Sequence, residues 1–445
     1  MKVIIIGGIA AGMSAAAKLK RVCKEAEVIV YEKSPHISFG ACGLPYFVGG
    51  FFDNEAQMLA RTPEQAAKAG ISVLVEHEVL SIDTDKQQVT VRDLKNQKEF
   101  TEGYDKLMIA TGASPILPPI KNIELKNVYT LRQMADGKRL REKMQDTSIK
   151  KVGIVGAGFI GLEIVEAAKK MGKEVYIFQL EDRILKETFD KEVTDLLEEE
   201  LQREGVKLYL NTKVVGFEGN EAVSQVVTEN EKVDIDLVII ATGVRPNTAF
   251  LKNSGIKMLQ NGAIVVNQKG ETSLPHIYAA GDCATVPHLI KGEETYIPLA
   301  TSANKLGRIV GENLGGMNQS FEGTLGSSCL KLMHMEAGRT GITEQEAAKM
   351  GIPYKTVWMT DKNQTDYYPG QEDISIKLIY NAETKIILGG QVVGKKDAVQ
   401  RTNVIAAAIY AKMTTKQLGM LDLCYAPPFA RTWDALNVAG NIAKN

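Results

Sequence analysis

The sequence predicts an α/β protein, with two βαβ units along most of the chain and a smaller α+β domain after them. Three observations carry that prediction. Two apolar strands run into glycine-rich turns, at 7–12 and 156–161; three more, at 107–115, 237–247 and 277–284, stop on small residues; and from about Gly326 the glycine turns cease. At 445 residues with 44% hydrophobic content, the chain is long enough for two or three domains with ample cores.

Lys2–Ile6 reads as a buried parallel strand, Gly7–Gly12 as a tight turn, Met13–Val22 as a helix and "EVIVYE" as the next strand, ending at Glu32. The turn "GGIAAG" places Gly7 and Gly12 at the outer positions of G-x-G-x-x-G, with Ile9 where the middle glycine usually stands. An acid about 20 residues beyond the last glycine completes the pattern: Glu32 can accept from ribose hydroxyls while the helix N-terminus faces a pyrophosphate. The second unit, "KVGIVGAGFIGLE" from Lys151, holds the full pattern in Gly156, Gly158 and Gly161. Two such units in one chain imply two bound dinucleotides and electron transfer between them.

The three further strands end in Ala110-Thr111-Gly112, Ala241-Thr242-Gly243 and Gly281-Asp282. Small residues there let backbone pass close to a ligand, and Asp282 can hydrogen-bond a polar cofactor chain. After Gly326, "LKLMHMEAGRTGIT", "ISIKLIYNAETKIILGGQVVG" and the helix-like "TNVIAAAIYAKM" read as a separate α+β domain.

Lys+Arg 53 against Asp+Glu 54 gives a formal charge of −1, which offers no basic field for nucleic acid or an anionic membrane. No apolar run approaches the roughly 18 residues of a membrane span. The first residues imitate a secretory leader, but a nucleotide-binding turn accounts better for their glycines. Cys23, Cys42, Cys283, Cys329 and Cys424 are odd in number and scattered, with no metal-ligand spacing, which excludes a cysteine metal site and fits a reducing, cytoplasmic setting.

With these motifs in this order, the chain resembles the pyridine nucleotide-disulfide oxidoreductase superfamily over nearly its whole length. The resemblance implies two Rossmann-like domains, binding FAD (1–115 and 246–325) and NADH or NADPH (116–245), and a C-terminal dimerisation domain (326–445). "SFGACGLPYF" holds one cysteine, Cys42, where much of the superfamily holds a C-x4-C pair; the position of the second is Phe47. A single cysteine there is similar to the branch of coenzyme A-disulfide reductases, NADH oxidases, NADH peroxidases and persulfide reductases. Within it, "CGLPYF", "DYYPG" (366–370) and "YAPPF" (425–429) resemble the coenzyme A-disulfide reductases. Ala10 replaces the histidine that the peroxidases and oxidases keep in the first turn.

That resemblance implies Cys42 as the redox thiol, joined to coenzyme A as a mixed disulfide and made acidic by the flavin and a following helix start. It implies that Tyr425 and Tyr367 enter the partner subunit's site, with Tyr425 assisting protonation. The expected flavin contacts are Gly7, Gly12, Glu32, Lys33, Thr111, Gly112, Gly281, Asp282, Ala300 and Thr301. The expected nicotinamide contacts are Gly156, Gly158, Phe159, Ile160, Gly161, Glu163, Gln179 and Gly243, with Phe159 a gate and Glu163 near the nicotinamide. Ser38, Phe39, Lys20 and Arg21 are expected around coenzyme A, the last two at its phosphates. Gln179 ends the second strand of its unit with Glu181 just beyond, which leans to NADH with dual use.

The expected function is FAD-dependent reduction of coenzyme A disulfide by NAD(P)H in a homodimer. An NADH oxidase cycling Cys42 through a sulfenic acid is the chief alternative. A persulfide reductase, many of which carry a rhodanese-like domain for which the chain leaves no room, and a non-catalytic redox sensor are the others.

Overall fold

The computed structural model describes residues 1–443. Lys2–Ile6 lies at the centre of a five-stranded parallel sheet, flanked by Glu27–Glu32 and Lys106–Ile109, with Ile71–Val75 and Ile277–Ala279 at the edges. The central strand is apolar from Val3 to Ile6, because both faces are covered there. A second parallel sheet repeats this plan: Lys151–Val155 is central, between Glu174–Phe178 and Leu237–Ile240, with Lys207–Tyr209 and Val128–Tyr129 outermost. In both, the chain turns from the central strand through glycines into a helix, Ala10–Val22 and Phe159–Lys170.

The first helix begins at Ala10, earlier than the Met13 expected from sequence. Gly12 therefore lies in its first turn, where a Cβ would come within 1.9 Å of the Gly7 carbonyl oxygen. Glycine here makes the strand-to-helix reversal tighter than a longer loop would allow.

Ala113–Pro115 and Val244–Pro246 pair as a short antiparallel ribbon. We propose that the chain leaves the first nucleotide domain and re-enters it there, which puts the limits at 115/116 and 245/246. The C-terminal region is a five-stranded antiparallel sheet, in the order Ser328–Leu332, Met335–Gly341, Ile387–Gly394, Asp373–Asn381, Tyr354–Lys362. Helices Ala398–Tyr410 and Ala435–Ile442 pack on it. Lys377, 1% exposed, ties this sheet to the second nucleotide domain: its ammonium lies 2.8 Å from Glu192 and 2.6 Å from Glu344. A buried ammonium is tolerated only with partners of this kind.

Candidate active site

The two glycine turns are superimposable in their constraints. Gly7 and Gly156 have φ of +105° and +104°, and a Cβ on them would meet the carbonyl oxygens of Ala110 and Ala241 at 2.2 and 2.5 Å. Gly161 repeats Gly12, its Cβ position 2.2 Å from the Gly156 oxygen. The carbonyls thus met belong to the Ala-Thr-Gly strand ends, so each of those motifs closes one wall of a cradle. Gly158 has open space before it, which leaves backbone free to meet a pyrophosphate.

Glu32 is buried and accepts from the amides of Gly8 and Ser34, both at 2.7 Å. Those bonds orient the carboxylate while leaving a lone pair on each oxygen for a ribose. Gln179 holds the equivalent place in the second unit, its Oε1 accepting from Ala157 at 2.9 Å. Lys33 is exposed and paired with Glu78. Thr111 donates to the Asn247 carbonyl at 2.8 Å. Gly112 and Gly281 have φ of +67° and +88°, and a Cβ on Gly281 would touch the Ala11 side chain at 3.1 Å. Asp282 is therefore brought beside the first helix. Gly307 and Gly311 let helix Ala300–Leu314 lie directly on that helix's backbone, which carries Ala300 and Thr301 to the same end. Gly243, φ +105°, faces Ile116.

Cys42 occupies one turn of 3-10 helix, Ala41–Gly43, within reach of the charges of Asp282 in the first nucleotide unit and Glu163 in the second. It is exposed, as expected for a thiol that meets substrate. Ser38, with φ +50°, anchors the approach through Ser38 N–H to the Gly8 carbonyl at 2.8 Å, and Phe39 bridges to Leu59. Phe47 is buried against Phe52 and under the Arg141 guanidinium, so the position where related chains carry a second thiol belongs to the core.

The charge around Cys42 differs from expectation. The protein at its back pushes the thiol up from its ordinary value, Glu163 and Asp282 push it further, and Arg132 with the local backbone opposes them. The following helix, Leu44–Val48, is a single short turn-and-a-half. By themselves the protein groups do not acidify this thiol, which corrects the sequence reading.

Arg132 was not anticipated. Its guanidinium is 3.1 Å from Asp282 and stands beside Gly112, close enough to Cys42 to favour its thiolate. Nothing in the surrounding sequence singles it out. Tyr46, four residues after Cys42, is also new: its hydroxyl is 3.5 Å from Glu163 Oε1. Burial pushes the Glu163 carboxyl up to about 7, and Glu166 adds to this while the tyrosine opposes it. Phe159 and Ile160 open the same helix, with Phe159 edge-on to Phe189 at 6.4 Å between ring centroids.

The two tyrosines come together within one chain. Tyr367 and Tyr425 hydroxyls are 3.1 Å apart, and both side chains are exposed. Arg401 accounts for the meeting: it donates to both carboxylate oxygens of Asp434, to the Asn363 carbonyl at 2.9 Å and to the Phe429 carbonyl. One buried guanidinium thereby joins the two loops that carry the tyrosines.

The Lys20 ammonium donates to the carbonyls of Lys24 and Ala26, in the turn that follows the first helix. Arg21 is exposed at that same end.

The pyridine nucleotide-disulphide oxidoreductase family matches residues 1–307, and its dimerisation domain matches 327–436. The chain belongs to this family. Members of the family take FAD and NAD(P)H, and the paired cradles, with carbonyls where a Cβ would stand and Glu32 and Gln179 at the strand ends, fit two dinucleotides. Among relatives of this oxidoreductase are the NAD(P)H sulfur oxidoreductase (CoA-dependent) of Pyrococcus furiosus, 40% identical over 443 residues and covering 100% of this chain and 99% of that one. The NADH oxidase of Enterococcus faecalis is 38% identical, covering 100% and 99%, and the coenzyme A disulfide reductase of Staphylococcus aureus is 31% identical, covering 100% of both. The crystal structure of reduced Bacillus anthracis CoADR-RHD superposes with a TM-score of 0.96 at 33% identity, over 100% of this chain and 80% of that one. No helix among the described residues is long and apolar enough to cross a membrane.

Proposed function

We propose that this oxidoreductase reduces coenzyme A disulfide with NAD(P)H, through Cys42 alone. The observation that carries the reading is that Cys42 is exposed within reach of the charges of Glu163 and Asp282, while Phe47 fills the core where related chains carry a second thiol. A second sulfur must then come from the substrate. All five cysteines are free, which suits a reducing cytoplasm.

Bound flavin would supply the relay of two electrons from nicotinamide to sulfur. The chain's own residues act at sulfur. Cys42 thiolate attacks coenzyme A disulfide; the substrate S–S bond breaks, a Cys42–S–S–CoA bond forms, and coenzyme A leaves as a thiolate that takes a proton. Two electrons then break the mixed disulfide, restoring the Cys42 thiolate and, with a second proton, releasing the second coenzyme A thiol. Arg132 is placed to favour the thiolate, and protonation of Glu163, whose carboxyl burial raises to about 7, removes a charge that opposes it.

The match to a dimerisation domain, and the exposed Tyr367, Tyr425, Phe429 and Trp433 on it, support a homodimer in which the tyrosine pair of one subunit faces Cys42 of the other. Its hydrogen bond to Tyr367 pushes the Tyr425 phenol up from its usual value, which keeps it protonated. Tyr425→Phe keeps the ring and so the packing. It is expected to slow disulfide turnover by roughly 10²-fold, as for loss of a general acid, with flavin reduction by NAD(P)H unchanged in stopped flow. Tyr367→Phe is expected to show a smaller loss. Unaltered turnover in Tyr425→Phe would remove it from the mechanism.

A second acceptor has support in the identity to CoA-dependent sulfur and persulfide reductases: a persulfide on coenzyme A would meet Cys42 by the same exchange. Intact-mass analysis of the resting enzyme tests the common step. A reductant-releasable coenzyme A adduct on Cys42 is the expected result. A sulfenic acid without any thiol adduct would overturn the reading in favour of the oxidase. Turnover with coenzyme A disulfide against its persulfide then separates the two acceptors.

A further inference from the structure

Three side chains of the C-terminal sheet form a buried polar row. Arg339 on Met335–Gly341 stands opposite Gln391 on Ile387–Gly394, and Gln391 stands opposite Lys377 on Asp373–Asn381. Such a row is costly on a sheet face unless its groups find partners. The partners come from one segment of the second nucleotide domain, at alternate residues. Arg339 donates to the Thr188 carbonyl at 3.0 Å. Gln391 accepts from the Asp190 amide at 2.9 Å and donates to Asp190 Oδ2 at 2.6 Å. Lys377 holds Glu192 and lies 3.6 Å from Asp190 Oδ2.

Phe189, between Thr188 and Asp190, is buried in an apolar cluster that also holds Leu330, Leu332 and Val393 of the C-terminal sheet. Its ring meets the edge of Phe159. Phe159 opens helix Phe159–Lys170 directly after Gly158, whose Cα has open space before it, and is itself only half-buried. It is therefore among the first side chains that a dinucleotide lying on this turn would meet. The near end of the segment is tied to the same turn: the Leu185 amide donates to the Ala157 carbonyl at 3.1 Å, and the Phe189 amide to the Leu185 carbonyl at 3.0 Å. A polar row in one domain thus seats the ring that backs a side chain at the nucleotide turn of another.

We propose that Gln391 is a positioning residue for flavin reduction, fixing Phe159 through Asp190 and Phe189. This rests on the NAD(P)H-dependent reading above and gives the C-terminal domain a part in the step that precedes thiol chemistry. Gln391 stands in the middle of the row and holds both the backbone and the side chain of Asp190, so it sets the direction in which the neighbouring Phe189 points. With that seat loosened, the Phe159 ring samples several orientations beside the turn, and the fraction of nucleotide complexes aligned for electron transfer falls.

Two measurements on the flavin-loaded enzyme test it. In protein labelled with fluorophenylalanine, the fluorine resonance of Phe159, identified by its loss in Phe159→Ala, is expected to be single in wild type and shifted or broadened in Gln391→Leu. In stopped flow, Gln391→Leu is expected to lower the limiting rate of flavin reduction by NAD(P)H roughly tenfold, while NAD⁺ binding by isothermal titration changes less than about twofold. Phe189→Leu leaves the polar row intact and is expected to act in the same direction, which carries the test should Gln391→Leu fail to fold; thermal unfolding checks each variant. Phe159→Ala removes the ring on which both act, so adding Gln391→Leu to it should bring no further loss. An unchanged limiting rate in Gln391→Leu, or an equal loss with and without Phe159, would overturn the assignment. Failure of NAD(P)H to reduce the wild-type flavin would overturn the donor reading instead, and the fluorine spectra would still decide whether Gln391 fixes Phe159.

Discussion

Cys42→Ser is expected to bring NAD(P)H-dependent turnover of coenzyme A disulfide down to the rate seen without enzyme. A serine hydroxyl forms no disulfide, so neither the attack on substrate nor the mixed disulfide survives the change. The side chain is exposed, and the loss of one sulfur there should leave the unfolding midpoint almost unchanged. Cys283 offers no substitute: it is fully buried and pushed up to about 11 by that burial. Steady-state turnover and intact-mass analysis of the same preparation check the expectation. Persisting disulfide turnover, or a coenzyme A adduct relocated to the exposed Cys424 beside Tyr425, would show that the redox thiol had been misassigned.

The second large effect is expected at a distance from any reacting atom. Arg401 and Asp434 are 8% and 9% exposed and meet at 2.7 Å; removing the arginine alone leaves a buried carboxylate without its counter-charge. Arg401→Met should cost the C-terminal domain about 3–5 kcal/mol. The two tryptophans of the chain, Trp358 and Trp433, both lie in this domain, so denaturant unfolding followed by their fluorescence reads it directly. Asp434 also accepts from the Leu436 amide to cap the last helix, and an asparagine can keep that bond. The double variant Arg401→Met/Asp434→Asn should therefore regain part of the loss. A cost below about 1 kcal/mol for Arg401→Met would show the pair to be solvated in the free chain. Because Arg401 joins the loops of Tyr367 and Tyr425, disulfide turnover should fall with stability even where the domain stays folded.

Arg401 also marks where reading the chain as a string stops. It sits in a helix that the sequence announces plainly, but its partners are 33 and 38 residues away, and no local pattern relates them. Tyr46 lay within a motif already under discussion, and only the fold shows that Glu163, 117 residues on, meets it. Only the fold, likewise, shows the Lys20 ammonium donating to the Ala26 carbonyl in the turn after its own helix.

By itself the sequence determined the α/β class, the two glycine turns, the strand ends that wall them and the single cysteine, Cys42, where much of the family holds a pair. These are local: a φ near +105° admits little but glycine, a buried parallel strand is apolar throughout, and a missing thiol is missing in any fold. The tertiary structure decided what surrounds those features. It set Asp282, Arg132 and Glu163 around Cys42, brought Tyr367 to Tyr425, and returned the Leu185 amide to the Ala157 carbonyl in the second turn. Each of these depends on Coulomb forces and hydrogen bonds between groups far apart in the chain, which act over a few ångströms and exist only once packing has closed the distance.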